Sequence, residues 1–183
     1  MKTAIFGGSF DPVHLGHIEI VKKALNELDI DKLIIMPNYL NPLKNHFSAP
    51  PEIRLNWLKK VFHNYPKVEV SNFEIKQNRP VYSIETIQKF KPTYFIIGND
   101  NLKTLHKWKN IDKILNLTKF VVATRGKVDE KLLKKYNIDK ILKINVPISS
   151  TEIRNGKFKY LPKEIENEIK EYYGQNKKNN QFA

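Results

Sequence analysis

The chain has 183 residues, of which 40% are hydrophobic and 28% charged, a balance that suits one globular domain and argues against a disordered chain. It has no cysteine, which excludes disulfides and thiolate metal sites, and no apolar run approaches the ~20 residues of a membrane span. The formal net charge of +13 gives a positive field that favours anionic partners.

The start of the chain lacks the basic, long apolar and small-residue regions of a signal peptide, so a cytoplasmic protein is expected. Lysines are spread along the whole chain, with no compact basic arm and no basic–aromatic stripe. The charge is therefore read as gathering small anionic nucleotides, and neither a nucleic acid nor a membrane is expected as partner.

Residues 3–7 predict a short buried strand, and glycines then turn the chain. Helical spacing follows from about Leu15 to Leu28, with Ile18, Val21, Leu25 and Leu28 on one side. Residues 32–36 predict a second buried strand stopped by Pro37, and 38–50 a loop rich in Asn and Pro. Pro51 opens a helix carrying Ile53, Leu55, Leu58 and Val61. Residues 67–75 look strand-like, 83–90 helical, and 94–97 form an apolar strand ending at Gly98. Helical stretches reach Leu117, 120–123 is a strand, 129–136 a helix and 140–144 the last strand. Helices over about 150–155 and 162–173 complete the domain, and the polar tail 174–183 is expected to fray.

Apolar strands alternating with helices predict a single-domain α/β fold, a doubly wound, mostly parallel sheet with C-terminal helices over residues 1–173. Ligands of such sheets bind beyond the carboxyl ends of the strands. The loops at 7–17, 37–44, 98–108, 125 and 148–154 should therefore converge on one edge.

Gly7 and Gly8 end the first strand where a helix is about to begin. Glycine lets backbone approach a ligand, and a helix N-terminus offers free N–H groups that suit phosphate. His14 and His17 lie three residues apart on one side of that helix and can donate to phosphate oxygens, more strongly when protonated. The pair also suits zinc, but no third ligand lies at an obvious metal spacing. The segment Gly8-x-Phe10-x-Pro12-x-His14-x-Gly16-His17 fixes six residues, so chance supplies it in on the order of one chain in several hundred thousand. It resembles the G-x-F-x-P-x-H-x-G-H signature of the nucleotidyltransferase superfamily, which shares its His-x-Gly-His element with class I aminoacyl-tRNA synthetases. The resemblance implies a Rossmann-like nucleotidyltransferase fold, and that His14 and His17 bind the ATP phosphates with help from Gly7, Gly8, Ser9 and Phe10.

Ser149-x-x-Glu152 is a capping box that marks a helix start. Three consecutive hydroxyls and Arg154 add groups that can hold an anion. Residues 148–154 resemble the I-S-S-T-x-I-R motif of the same superfamily. That implies ATP contacts from Ile148, Ser149, Ser150 and Thr151, and phosphate binding by Arg154.

Middle segments resemble bacterial nicotinate-mononucleotide adenylyltransferases. Lys44 stands where that family has P-x-K and is implied to reach the triphosphate. Residues 80–86 resemble its S-Y-T-x-D-T segment, which implies that Tyr82 and the backbone near Thr86 receive the nicotinate part. Gly98 and Asp100 match G-x-D on the nucleotide, Trp108 a tryptophan that stacks on the pyridine ring, and Arg125 an arginine that contacts the second nucleotide. The sequence departs from the pattern at Leu43, at Arg79-Pro80-Val81, and at Ser83 and Glu85. The resemblance implies transfer of the adenylyl group of ATP to nicotinate mononucleotide, with Mg²⁺ carried on ATP and a homodimer open. Nicotinamide mononucleotide or phosphopantetheine as acceptor, and a basic nucleic-acid-binding module, are the rival readings.

Overall fold

The computed structural model describes residues 1–181. Six strands form one sheet: β1 (Thr3–Gly8), β2 (Lys32–Pro37), β3 (Val68–Val70), β4 (Tyr94–Gly98), β5 (Lys119–Thr124) and β6 (Lys140–Lys143). Their order is β3-β2-β1-β4-β5-β6, and every pairing is parallel. The expected α/β class holds, and the sheet is parallel throughout.

Strand residues alternate between two cores, as a period of two requires. Ala4, Phe6, Leu33, Ile35, Ile96 and Val121 face one side. Ile5, Ile34, Met36, Phe95, Ile97 and Val122 face the other. Each face is sealed by helices. On the first side lie α1 (Leu15–Glu27) and α2 (Pro51–Phe62), which bury Ile20, Val21, Ala24, Trp57 and Leu58, together with α8 (Glu166–Gln181), which buries Ile169 and Tyr173. On the second side α3 (Ser83–Phe90), α4 (Asn99–Thr104) and α5 (Ile111–Leu117) bury Ile84, Ile87, Leu102 and Ile114. Each such side chain contributes about 1.5–3 kcal/mol of transfer free energy, so neither face is stable uncovered.

The chain begins in mid-sheet, winds outward to β3, and returns to place β4 beside β1. The β1–β4 boundary is where the winding reverses, and crevices at such points take ligands. The register pairs Phe6 with Ile96, so Gly8 and Gly98, each two residues further on, reach the same edge.

Three boundaries differ from the sequence reading. β3 ends at Val70, and Ser71 N–H makes the last bond toward β2, to Ile35 O at 2.9 Å. Residues 75–77 then form a 3₁₀ turn that buries Ile75. The stretch 99–117 is broken at Trp108–Asn110, where Asn110 takes a left-handed φ of 56°. Finally, α8 begins at Glu166 and passes Gly174 to reach Gln181, since one helical glycine costs only about 1 kcal/mol. The helix thus runs through most of the expected tail, and residues 182–183 lie outside the described residues. The remaining helices are α6 (Glu130–Lys135) and α7 (Ser150–Arg154).

Candidate active site

His14 is the N-cap of α1, and its Nδ1 accepts from Gly16 N–H at 3.0 Å. His14 N–H in turn donates to Nδ1 of His17 at 3.0 Å. A ring nitrogen that accepts carries no proton, so both neutral rings carry theirs on Nε2. The rings stack with centroids 3.9 Å apart, presenting two N–H donors side by side. Gly16 makes this possible, because a Cβ there would stand 2.8 Å from His14 Cε1. Beneath the pair, Phe10 takes a φ of 50° and packs edge-on against His17 at 5.0 Å.

Burial pushes His14 down to about pKa 4, with the nearby Arg125 charge adding to the effect and Glu152 opposing it. Burial, and then His14, hold His17 well below the ordinary imidazole range. Both rings are therefore neutral donors near pH 7. Of the two protonation states open to them, the site thus holds the neutral one, with a fixed tautomer.

The second motif closes on the first. Ser150 Oγ donates to Pro12 O at 2.9 Å, and Arg154 donates from Nη1 to Asp11 O at 2.7 Å and from Nη2 to Thr151 Oγ1 at 3.1 Å. Ser149 caps α7, and its own N–H and hydroxyl are both engaged by Glu152 at 2.8 and 3.1 Å. Ile148 is 3% exposed and packs in the first core, with its N–H on Val146 O. The side chains of Ile148 and Ser149 are thus engaged in packing and capping.

A buried scaffold holds these loops, and the sequence reading missed it. Asp11 accepts from Ser48 N–H at 2.8 Å, Ala49 N–H at 3.0 Å and Tyr173 Oη at 2.5 Å. Arg54, fully buried, donates to Ala49 O at 2.9 Å, Ser9 O at 2.6 Å and Tyr39 O at 2.9 Å. Its burial lowers the guanidinium pKa, and Asp11 opposes that. A usable signal existed for Arg54: it lies four residues before Leu58, on the apolar stripe of α2. Asp11 and Tyr173 are 162 residues apart, and no local pattern joins them.

A cavity opens beside the histidines, with about 750 Å³ of space continuous with solvent. Gly7, Gly8, Asn38, Glu74, Tyr82 and Trp108 are in its wall, with Lys107 and Lys109 at its rim. Trp108 is held edge-on by Phe95 and Phe120 at 6.1 and 5.8 Å. Tyr82 is 42% exposed, with Lys109 Nζ 4.8 Å over its ring. Thr86 is fully buried and donates from Oγ1 to Glu74 Oε2 at 2.8 Å. Burial, partly offset by that bond, pushes Glu74 up to about pKa 7, and Glu85 adds to the rise. Two of the departures from the family pattern meet here: Arg79 donates to Glu85 at 2.7 Å, and Glu85 accepts from Tyr82 N–H at 3.0 Å.

The structure brings most of the expected residues to one edge. Gly98 ends β4, and no heavy atom lies within 4 Å of where its Cβ would be. Asp100 is exposed in the first turn of α4. Lys44 is exposed in the loop after β2, its N–H on Asn41 O. Arg125 follows β5, near enough for its charge to act on His14, and it is not among the residues lining the Trp108 cavity.

A cleft with paired neutral N–H donors at a helix N-terminus, at the switch point of a parallel sheet, defines a nucleotide-binding α/β protein. The cytidylyltransferase-like family model matches residues 5–156, and the chain belongs to that family. A Nitratiruptor protein named "Probable nicotinate-nucleotide adenylyltransferase" is 51% identical over 180 residues, covering 94% of this chain and 99% of its own. A Campylobacter jejuni protein of the same name is 45% identical over 98% of this chain and all of its own. Among solved structures, the Plasmodium falciparum nicotinic acid mononucleotide adenylyltransferase complexed with NaAD superposes with a TM-score of 0.66 at 25% identity, over 93% of this chain and 90% of its own.

Proposed function

We infer that the chain transfers the adenylyl group of ATP to nicotinate mononucleotide, giving deamido-NAD and pyrophosphate in NAD biosynthesis. The observation that carries the reading is the junction of two sites at Gly7-Gly8. On one side stand the Nε2–H donors of His14 and His17, and on the other the aromatic cavity of Trp108 and Tyr82. Relatives of that name, 45–51% identical over nearly the whole chain, support the same reading.

An oxygen of the mononucleotide phosphate attacks the α-phosphorus of ATP in line, the bond to the β-phosphate oxygen breaks, and pyrophosphate leaves. Such chemistry needs positioning and charge stabilisation rather than a covalent nucleophile. His14 and His17 donate to the non-bridging oxygens as charge grows there, and being neutral they need no proton of their own to give up. Arg154, Arg125 and Lys44 supply positive charge around the triphosphate. Mg²⁺ carried on the phosphates of ATP would neutralise charge further. We place the reaction in the cytoplasm, where ATP is supplied.

The test is a steady-state comparison of the acid and amide mononucleotides with Mg-ATP, run beside His17→Ala. The acid is expected to be preferred, and the variant to fold while losing most of its rate. Preference for the amide would overturn the acceptor, and wild-type turnover by His17→Ala would overturn the site.

A further inference from the structure

Glu74 is a carboxyl group in the wall of the acceptor cavity, and it is only 7% exposed. Thr86 Oγ1 donates to its Oε2 at 2.8 Å. Among the described residues no cation forms an ion pair with it. No fully buried side-chain oxygen or nitrogen there lacks a hydrogen-bond partner, so Oε1, which has none, is open to the cavity. The other charged groups around it are Glu85 on α3, already paired with Arg79, and Lys107 and Lys109 at the cavity rim. A single oxygen is thus left for a polar group of a ligand that enters this cavity.

What that oxygen can do depends on its proton. A carboxylic acid can donate to a carboxylate. An ionised carboxylate can only accept, which suits the NH₂ of a carboxamide and repels a second carboxylate in a poorly solvated space. We propose that Glu74 determines acceptor choice: protonated, its Oε1 donates to the carboxylate of an acidic acceptor ring; ionised, it accepts from the NH₂ of an amide ring and repels the acid. The proposal rests on the acceptor reading given above. Burial and Glu85 keep the proton on Glu74 up to about pH 7, so the switch falls within the range in which the enzyme can be assayed.

The test is the ratio of kcat/KM for the acid mononucleotide to that for the amide, with Mg-ATP, from pH 6 to 8.5. The two acceptors share their ribose phosphate, so titrations of phosphate, ATP and the histidines cancel in the ratio. Where amide turnover is too slow, its inhibition constant against the acid acceptor replaces it. In the wild type the ratio is expected to fall on the order of tenfold across this range, and in Glu74→Gln to stay flat. A wild-type ratio constant within about twofold, or a fall that survives in Glu74→Gln, overturns the role of Glu74. Should that variant fail to fold, the wild-type profile alone decides. No wild-type turnover of the acid at any pH sinks the acceptor reading and this proposal together, whereas turnover with a flat ratio sinks only the proposal.

Discussion

Replacing Gly16 with alanine perturbs the histidine pair without altering either histidine. The new Cβ would stand 2.8 Å from Cε1 and 2.9 Å from Nδ1 of His14, where ordinary contact begins at 3.4 Å. The ring must therefore retreat by about 0.6 Å, the difference between 3.4 and 2.8 Å. That retreat weakens the 3.0 Å bond that fixes the His14 tautomer, and it pushes on His17, stacked 3.9 Å away. Misplacement on the order of 1 Å can cost about 10²-fold in rate, similar to losing one donor to developing charge. We expect Gly16→Ala to lower kcat on the order of 10²-fold, with KM for the acceptor within about threefold. Stability should barely move, because alanine gains up to about 1 kcal/mol over glycine in a helix, against the strain of the clash. Pyrophosphate release at saturating Mg-ATP gives kcat, and a thermal melt reports folding. A folded Gly16→Ala enzyme with kcat within about threefold of wild type would refute the argument that ring placement carries the rate.

Three further outcomes are expected. Glu74 has a raised folded pKa, so its contribution is fully present below its ordinary 4.5 and is lost as pH rises through about 7. Glu74→Gln should therefore be more stable than wild type at pH 8, by up to about 3 kcal/mol, with the advantage gone by pH 4.5; urea denaturation at both pH values checks it, and an equal offset at both would contradict it. His14 has the opposite sign: its folded pKa of about 4 lies below the ordinary 6.5, so wild-type stability should fall as pH drops from 6.5 towards 4, and a His14→Gln protein should lose less over that window. Tyr173→Phe removes the hydroxyl bound to Asp11 and should cost about 1–3 kcal/mol in the same experiment, whereas an unchanged midpoint would show the bond to be idle.

The strands and the phosphate end of the site were legible because their signals are local. Apolar runs gave β1, β2, β4 and β5 within a residue or two, since burial on both faces leaves no polar alternation to confuse them. Gly8 to His17 was readable because each residue acts on its neighbours: Gly16 on His14, His14 on His17. β3 was over-extended because Phe73 and Ile75 are apolar for a different reason, the turn that carries Glu74 to the cavity. Glu74 itself looked like one acidic residue among 19. Its proposed role depends on Thr86, on a cavity built from β1, β2, β4, α3, α4 and α5, and on the lack of an ion pair among the described residues, none of which a local window contains. The same holds for Asp11, which occupies a variable place in the first motif yet receives three hydrogen bonds from distant segments.

The bond from Tyr173 to Asp11 joins segments made 162 residues apart. β1 and the histidine loop are made well before α8, and domains assemble as their chain emerges. Arg154, Tyr172 and Tyr173, which bind Asp11 and Ser48, follow all six strands in the chain. A chain halted before these residues would keep the hold of Ser48, Ala49 and Arg54 on this loop but lack that of Arg154 and Tyr173. Interrupted translation products would therefore hold the phosphate loop less firmly than a chain that includes α8.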